Sequence, residues 1–353
     1  MPSSALAWFR RTARLAALLA AIVVVVGAWV RLTDAGLGCP DWPGCYGQLH
    51  PAQVATRLPE AAAAFPARPF DYRKALHEMV HRYIASALGL LIIGLAALSW
   101  WNRHDPAQPR LLPWVVLGVV CAQGALGAFT VTMLVTPLMV TLHLAGGLAT
   151  LSLLWWLSLA PERRDVKAAE RPVRRLALAA FAVLAAQLLL GGWTSSNYAG
   201  IACPDFPTCQ GRWWPASDWH DAFVLWRGLG VDYEGGVLAN AARTAIHLAH
   251  RLGALATAVV LLTLAAVAYR RAQARSVRGA ALALGAALAL QLLIGINLIW
   301  QGFPLWLGTA HNAGAALLLL ALLRLLRALW PLQQQIAIRA AAALGAAPAR
   351  GAA

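Results

Sequence analysis

Charged residues are scarce in this sequence. Only 12% of the 353 positions are charged and 60% are hydrophobic, whereas a soluble globular domain carries about 25% charged residues. So few charges exclude a water-soluble protein of this size, because they do not cover its surface. The apolar residues also fall in blocks of about 20, the length that crosses the bilayer as a helix. The sequence therefore predicts an integral membrane protein of the all-α class.

The apolar blocks predict eight transmembrane helices. We expect their boundaries to shift by about 2–4 residues, as is usual for sequence-based boundaries. The predicted spans are 15–32, 75–100, 111–133, 138–159, 174–194, 244–268, 278–300 and 305–329.

Acidic residues are scarcer than basic ones, which gives a formal net charge of +15. A charge of this size is typical of nucleic-acid-binding proteins. The arginines, however, lie mostly in short loops between apolar blocks, where positive charge sets the orientation of the helices. With the N-terminus inside, most of the 29 lysines and arginines fall on the inner side. The sequence therefore predicts no nucleic-acid partner and a multi-pass inner-membrane protein with both termini in the cytoplasm.

Cysteine is also scarce, with five residues in the chain. Four of them fall in predicted outer loops, Cys39 and Cys45 in the first and Cys203 and Cys209 in the third. Because the outer side of a bacterial inner membrane is oxidising, each loop is expected to hold one disulfide. Cys121 falls inside the third span and is interpreted as a packed small residue.

Four segments occur twice, at offsets of 164 to 169 residues. Ordered matches at a nearly constant offset indicate an internal duplication. Each copy holds an even number of spans, so both copies have the same orientation. The sequence therefore predicts two tandem pseudo-symmetric four-helix bundles, 1–165 and 166–353, joined by the basic stretch 161–175. The matched segments are Gly27–Thr33 with Gly191–Asn197, Cys39–Cys45 with Cys203–Cys209, His81–Arg82 with His250–Arg251, and Thr141–Gly147 with Thr309–Ala315.

Histidines recur within the predicted spans, where an ionisable side chain is costly and usually functional. They are His81, His143, His250 and His311, and each lies six or seven residues inside the outer end of its predicted helix. That position corresponds to roughly 9–11 Å below the outer surface. Two imidazoles at one depth form the kind of pair that ligates haem iron. The alternative is that these histidines pack between helices and bond to carbonyl groups.

Small and basic residues accompany the histidines. The stretches Ala145-Gly146-Gly147 and Ala313-Gly314 are expected to leave room for a flat macrocycle against the backbone. Arg82 and Arg251 directly follow a histidine and Arg31 ends the first span, so all three could pair with haem propionates. The alternative is that these arginines extend to the lipid headgroups.

One acidic residue breaks the repeat. Glu78 precedes His81 by three residues, on the same helix face, and His247 stands at the matching position of the second copy. A buried carboxylate in one copy alone predicts that the chemistry belongs to that copy. The string His77-Glu-Met-Val-His81 also fits the H-E-x-x-H signature of zinc peptidases, a reading that leaves the other recurring histidines unexplained.

With these motifs the chain resembles the heme A synthase family over nearly its whole length. The resemblance implies a membrane oxidoreductase that converts the C8 methyl group of haem O to the formyl group of haem A, for use in terminal oxidases. It implies a haem B held by His250 and His311, a substrate haem O at His81 and His143, and a catalytic role for Glu78. His247 departs from the first copy and could compete with His250 as the ligand.

The same resemblance matches Cys39 and Cys45, and Cys203 and Cys209, to the family's periplasmic cysteine pairs. No flavin or nicotinamide motif is present, so the electrons would leave to an unidentified acceptor. The membrane enzyme that produces haem O is expected as a partner, and a homo-oligomer stays open. Two other functions also use paired histidines: a diheme b-type electron-transfer or quinol-linked cytochrome, and haem transport.

Overall fold

The computed structural model describes residues 4–160 and 171–330, which are largely helical and contain no β-strand. Eight helices within these ranges are long and apolar enough to cross a membrane. The helices are α1 (Ser4–Leu32), α2 (Pro51–Ala55), α3 (Leu58–Ala64), α4 (Tyr72–Trp101), α5 (Leu112–Thr132), α6 (Pro137–Ser158), α7 (Arg171–Ser196), α8 (Trp219–Ala222), α9 (Asn240–Arg271), α10 (Arg275–Trp300) and α11 (Leu305–Leu329). The short α2, α3 and α8 and a 3-10 turn at Ala199–Ala202 belong to the connecting loops.

The eight predicted spans are confirmed, and seven of them end within four residues of the observed helix bounds. The exception is α1, which begins at Ser4 rather than at residue 15. Phe9 and Ala13 are fully buried in this early part of α1. The apolar side of α1 thus continues through the basic N-terminal segment. Packing of this side against the protein keeps the segment helical.

The long helices form two rings of four. In the first ring, α1 and α5 each contact both α4 and α6. In the second, α7 contacts α9 and α11, and α10 contacts the same two helices. The rings meet where α1 contacts α11 and α6 contacts α7. The predicted pseudo-symmetry of two tandem bundles stays a prediction. The division between residues 165 and 166 stays a prediction, because it lies outside the described residues.

Polar contacts tie the outer loops of the two rings together. Arg68 donates to Asp232 at 2.7 Å and to Glu234 at 2.8 Å, and the hydroxyl of Tyr198 donates to Asp34 at 2.7 Å. A single exposed ion pair contributes only about 0.2–1 kcal/mol. Several such contacts in one place, however, join the first outer loop to the third.

Cys121 differs from its interpretation as a packed residue. Its side chain is exposed on the surface of α5. In a membrane-spanning helix, that surface faces lipid or a neighbouring molecule. The interpretation was wrong because hydropathy shows that a residue lies in a span but not which side of the helix carries it.

The charge bias predicts the orientation of this fold in the membrane. Ala63 and Ala107 are exposed residues, one in α3 and one in the α4–α5 loop. In a Cys121→Ser background, we expect a membrane-impermeant maleimide to label Ala63→Cys in intact spheroplasts. It should label Ala107→Cys only after the membrane is permeabilised. The opposite labelling pattern would overturn the proposed orientation.

Candidate functional site

Four partly buried histidines come together as two pairs. The ring centroids of His81 on α4 and His143 on α6 are 6.5 Å apart, with the ring planes at 79°. Those of His250 on α9 and His311 on α11 are also 6.5 Å apart, at 78°. His81 and His250 sit about one turn further into their helices than the sequence indicated, because α4 and α9 begin before the predicted spans. Each pair nevertheless meets at one level.

The spacing of each pair fits a metal ion between two imidazoles. A metal–imidazole bond measures roughly 2 Å, and the ring centroid lies about 1 Å beyond the bonded nitrogen. Two imidazoles on opposite sides of one ion therefore have centroids roughly 6 Å apart by the same bond length. Within the described ranges, no three His, Cys, Asp or Glu side chains gather as a metal site. Two imidazoles are the number of protein ligands that a six-coordinate haem iron takes.

Each of the four histidine rings lies against a glycine of an adjacent helix. A Cβ atom at any of these glycines would come within 2.9–3.3 Å of the ring carbon Cε1, closer than carbon atoms normally pack. The sequence motifs include the two glycines that end the first helix of each copy but miss the two on α5 and α10. A repeat offset of 168 residues between those two would have revealed them. The contacts are Gly27 with His81, Gly127 with His143, Gly191 with His250, and Gly295 with His311.

The space over Gly146 and Gly314 is filled, contrary to expectation. A Cβ atom on Gly146 would lie 1.8 Å from the amide nitrogen of Gln123, and one on Gly314 would lie 2.2 Å from Oε1 of Gln291. The glycines therefore accommodate glutamine side chains. The expectation of room for a macrocycle at these positions was wrong, because the sequence repeat does not show which neighbour occupies a gap.

Glu78 is buried, with 5% of its surface exposed. Its Oε1 accepts from Arg82 at 2.6 Å and its Oε2 accepts from the backbone N–H of Cys39 at 2.8 Å. These two donors hold the carboxylate in one orientation. His77 packs edge-on to Trp29, at 6.2 Å between ring centroids, and its Nδ1 lies 3.5 Å from the Thr33 hydroxyl. His77 therefore has its own partners, which opposes the zinc-peptidase reading.

The second copy has a different arrangement at this position. His247 is buried, and its Nδ1 lies 3.0 Å from the carbonyl oxygen of Ala199. Its ring packs edge-on to Phe303, at 6.4 Å between centroids. The ring that faces His311 is that of His250. The position that holds a carboxylate in the first copy therefore fastens a loop in the second.

The arginines that follow the histidines are bound by the cysteine loops. Arg82 donates to the carbonyl oxygens of Asp41 at 3.1 Å and Pro43 at 3.2 Å, and also to that of Gly44. Arg251 donates to the carbonyl oxygens of Asp205 and Thr208, both at 2.7 Å. Each arginine thus anchors the loop of its own copy.

Arg31 also uses its guanidinium within the protein. It donates to the carbonyl oxygen of Ser195 at 2.6 Å and lies 4.1 Å from the ring centroid of Tyr198. None of the three arginines is therefore free of protein partners. A propionate contact at Arg31, Arg82 or Arg251 stays a prediction, and each arginine would have to share donors that already have acceptors.

The structure pairs the loop cysteines as expected, Cys39 with Cys45 and Cys203 with Cys209, each with Cα atoms 4.7 Å apart. The aspartate after each Cys-Pro organises the loop. The carboxylate of Asp41 accepts from the N–H groups of Tyr46 at 2.6 Å and Gly47 at 2.8 Å.

Asp205 does the same in the second loop and accepts from Gly211 N–H at 3.0 Å. The Thr208 hydroxyl, followed by the loop N–H groups, lowers the pKa of the Asp205 carboxyl. The repeated Asp is thus explained by loop folding.

Comparisons with known proteins indicate the family of this chain. The model of the COX15-CtaA family, cytochrome oxidase assembly protein, matches residues 10–323. A heme A synthase of Shewanella oneidensis is 43% identical over 255 residues, which cover 71% of this chain and 76% of that protein. A heme A synthase of Rhizorhabdus wittichii is 30% identical over 279 residues, covering 73% and 76%.

The glycine contacts predict a site-specific effect of one methyl group. In Gly295→Ala, the new Cβ would lie 2.9 Å from Cε1 of His311. We expect a loss of about 1–3 kcal/mol, as for other overpacked sites. Gly285→Ala on the same helix has open space and serves as the control. Thermal unfolding in detergent should show a lower midpoint for Gly295→Ala only, and equal midpoints would contradict the close packing.

Proposed function

The chain belongs to the COX15-CtaA family of cytochrome oxidase assembly proteins, and from this premise we propose that it oxidises the C8 methyl of haem O to a formyl group, producing haem A for terminal oxidases. The observation that carries the proposal is the presence of two histidine pairs with one spacing and a buried carboxylate beside only one of them. We place the chain in the inner membrane with its cysteine loops in the periplasm, as the charge bias favours.

We propose that the two histidine pairs bind different haems. We assign His81 and His143 to the substrate haem O, because Glu78 lies on the same helix as His81. We assign His250 and His311 to a resident haem B, where His247 takes the place of the carboxylate and holds the loop at Ala199. The haem B would supply a route by which electrons leave towards an acceptor outside this chain.

Glu78 is suited to act on the substrate. Oxidation of the methyl group removes protons and develops positive charge at carbon, and a nearby carboxylate can accept a proton or stabilise that charge. Arg82 and the Cys39 N–H keep the carboxylate fixed, so it does not have to reorganise during the reaction. The first cysteine loop, held by Arg82, covers this region from the outer side.

The second candidate is a diheme b-type membrane cytochrome that works in electron transfer or is linked to quinol. The nearly equal spacing and angle of the two pairs favour it, since two electron-transfer haems need the same ligand geometry. Pyridine-haem analysis of the purified protein separates the candidates. Haem B with haem O or haem A supports the synthase, and two haem B per chain support the cytochrome.

The resident haem B should depend on the C-terminal pair. We expect His250→Ala and His311→Ala each to remove the low-spin haem B, because either change takes away one of two axial ligands. The measurement is the reduced absorption spectrum of each purified variant, normalised to protein. A full haem B band in both variants would show that the haem lies elsewhere.

Conversion of haem O should depend on Glu78. We expect Glu78→Gln to reduce haem A formation by about 10²–10⁴-fold, the usual contribution of a positioned acid–base group. Glutamine keeps the size of the side chain and can still accept from Arg82, so haem B should stay bound. Chromatography of extracted haems, from cells that make haem O and lack another copy of the enzyme, measures the product.

The control for this prediction is Glu60→Gln, which changes an exposed carboxylate of α3 and should leave haem A output unchanged. Normal haem A output from Glu78→Gln would overturn the catalytic assignment. Loss of haem A together with haem B would indicate that Glu78 acts on folding rather than on the substrate.

A further inference from the structure

A partly buried glutamine contacts one histidine of the C-terminal pair. The amide nitrogen of Gln187 on α7 lies 3.1 Å from Nδ1 of His250 and 3.0 Å from the carbonyl oxygen of the same residue. The other end of the amide, Oε1, is buried and has no hydrogen-bond partner among the described residues. Gln187 therefore holds the ring of His250 and keeps an unused acceptor next to it.

The glutamine recurs at three of the four histidines, and at His311 its amide nitrogen again lies near the ring, 3.3 Å from Nδ1. In each case a glutamine lies over the glycine that follows the histidine by three residues, and a Cβ atom on that glycine would come within 1.8–2.2 Å of the glutamine amide. The glycine is needed because no larger residue leaves space for the amide. The three sets are Gln123 and Gly146 near His143, Gln187 and Gly253 near His250, and Gln291 and Gly314 near His311.

His81 is the exception. By the repeat offsets, the positions that match Gln187 and Gly253 are Val23 and Ile84. Both members of the pair are therefore replaced by apolar residues. Nδ1 of His81 is buried and has no hydrogen-bond partner among the described residues; Nδ1 of His143 has none either, but Gln123 lies near it, whereas no such amide lies near His81.

The difference matters for a metal ligand. An imidazole that binds metal through Nε2 carries its proton on Nδ1, and that N–H normally donates to a neighbouring acceptor. Gln187 can meet this proton when its amide turns end for end, which places the free Oε1 on Nδ1. This turn breaks the bond from Gln187 to the carbonyl oxygen of His250, so the gain at Nδ1 replaces that bond. Val23 offers no acceptor, so a metal-bound His81 would carry a buried N–H without a partner.

We propose that Gln187 is a positioning residue that makes His250 a tightly held axial ligand, and that Val23 and Ile84 make His81 the ligand that releases. The proposal rests on the proposed function, in which the N-terminal site must bind haem O and give up haem A while the C-terminal site keeps its haem. A change in such an outer hydrogen bond typically alters metal affinity about 10–100-fold.

The first test removes or strengthens the acceptor at His250 in the holoprotein. We expect Gln187→Val, which copies the residue at His81, to speed the transfer of haem B to apomyoglobin about 10–100-fold. Gln187→Glu keeps an acceptor and should retain haem B, with a lower reduction potential because the imidazole becomes a stronger donor. The control is Asn297→Val, which removes a polar side chain that bonds only within α10, to the carbonyl of Leu293.

The second test introduces the pair at His81. The double variant Val23→Gln, Ile84→Gly should slow the release of haem from the N-terminal site, so that more haem O or haem A stays with the purified protein. A variant that also carries His81→Ala should lose this extra haem. If the double variant binds no more haem than the wild type, the assignment of His81 as the releasing ligand is wrong.

The outcomes at His250 separate this proposal from the proposed function. If His250→Ala removes haem B but Gln187→Val behaves as Asn297→Val, only the positioning role is overturned. If His250→Ala leaves haem B in place, the site assignment itself fails. Should Gln187→Val not accumulate, Gln187→Glu decides alone, because an unchanged reduction potential would overturn the proposal.

Discussion

The contact between an imidazole ring and a bare helix backbone determines the geometry of both sites. Each histidine ring lies on a glycine of the adjacent helix, so the helices approach one another closely and the ring has little freedom to turn. The 6.5 Å separation within both pairs follows from this packing. Glycine costs helix stability relative to alanine, by about 1 kcal/mol. At these sites the cost in helix stability is offset because the glycine lets the adjacent helix hold the histidine ring in a fixed position.

Much of this arrangement could be predicted from the sequence. Apolar runs predicted the eight spans, and the repeat predicted which histidines belong together. The cysteine pairs followed from their spacing within matched loops. These predictions succeed because hydrophobic periodicity and short repeated motifs can be recognised along the chain. They do not require knowing which residues are neighbours in space.

The rest depends on contacts between distant segments. The sequence did not indicate that Arg82 and Arg251 donate to loop carbonyls, and Gly146 was expected to leave a gap that Gln123 fills. A sequence shows which groups need partners but not which of several partners is nearest. The rotation of a helix decides this choice, as the exposed side chain of Cys121 also illustrates.

Arg82 has a further consequence. It binds the carbonyls of the first cysteine loop and the carboxylate of Glu78 together, while Glu78 also accepts from the loop at Cys39. The first cysteine loop, Arg82 and the carboxylate of Glu78 thus form one connected hydrogen-bond network. A loop lifted away from the site would take the Cys39 donor with it and free Arg82 to swing, leaving the carboxylate misaligned. If Glu78 acts as proposed, the site would therefore react only while the first cysteine loop stays in place, because the same hydrogen bonds position both the loop and the carboxylate.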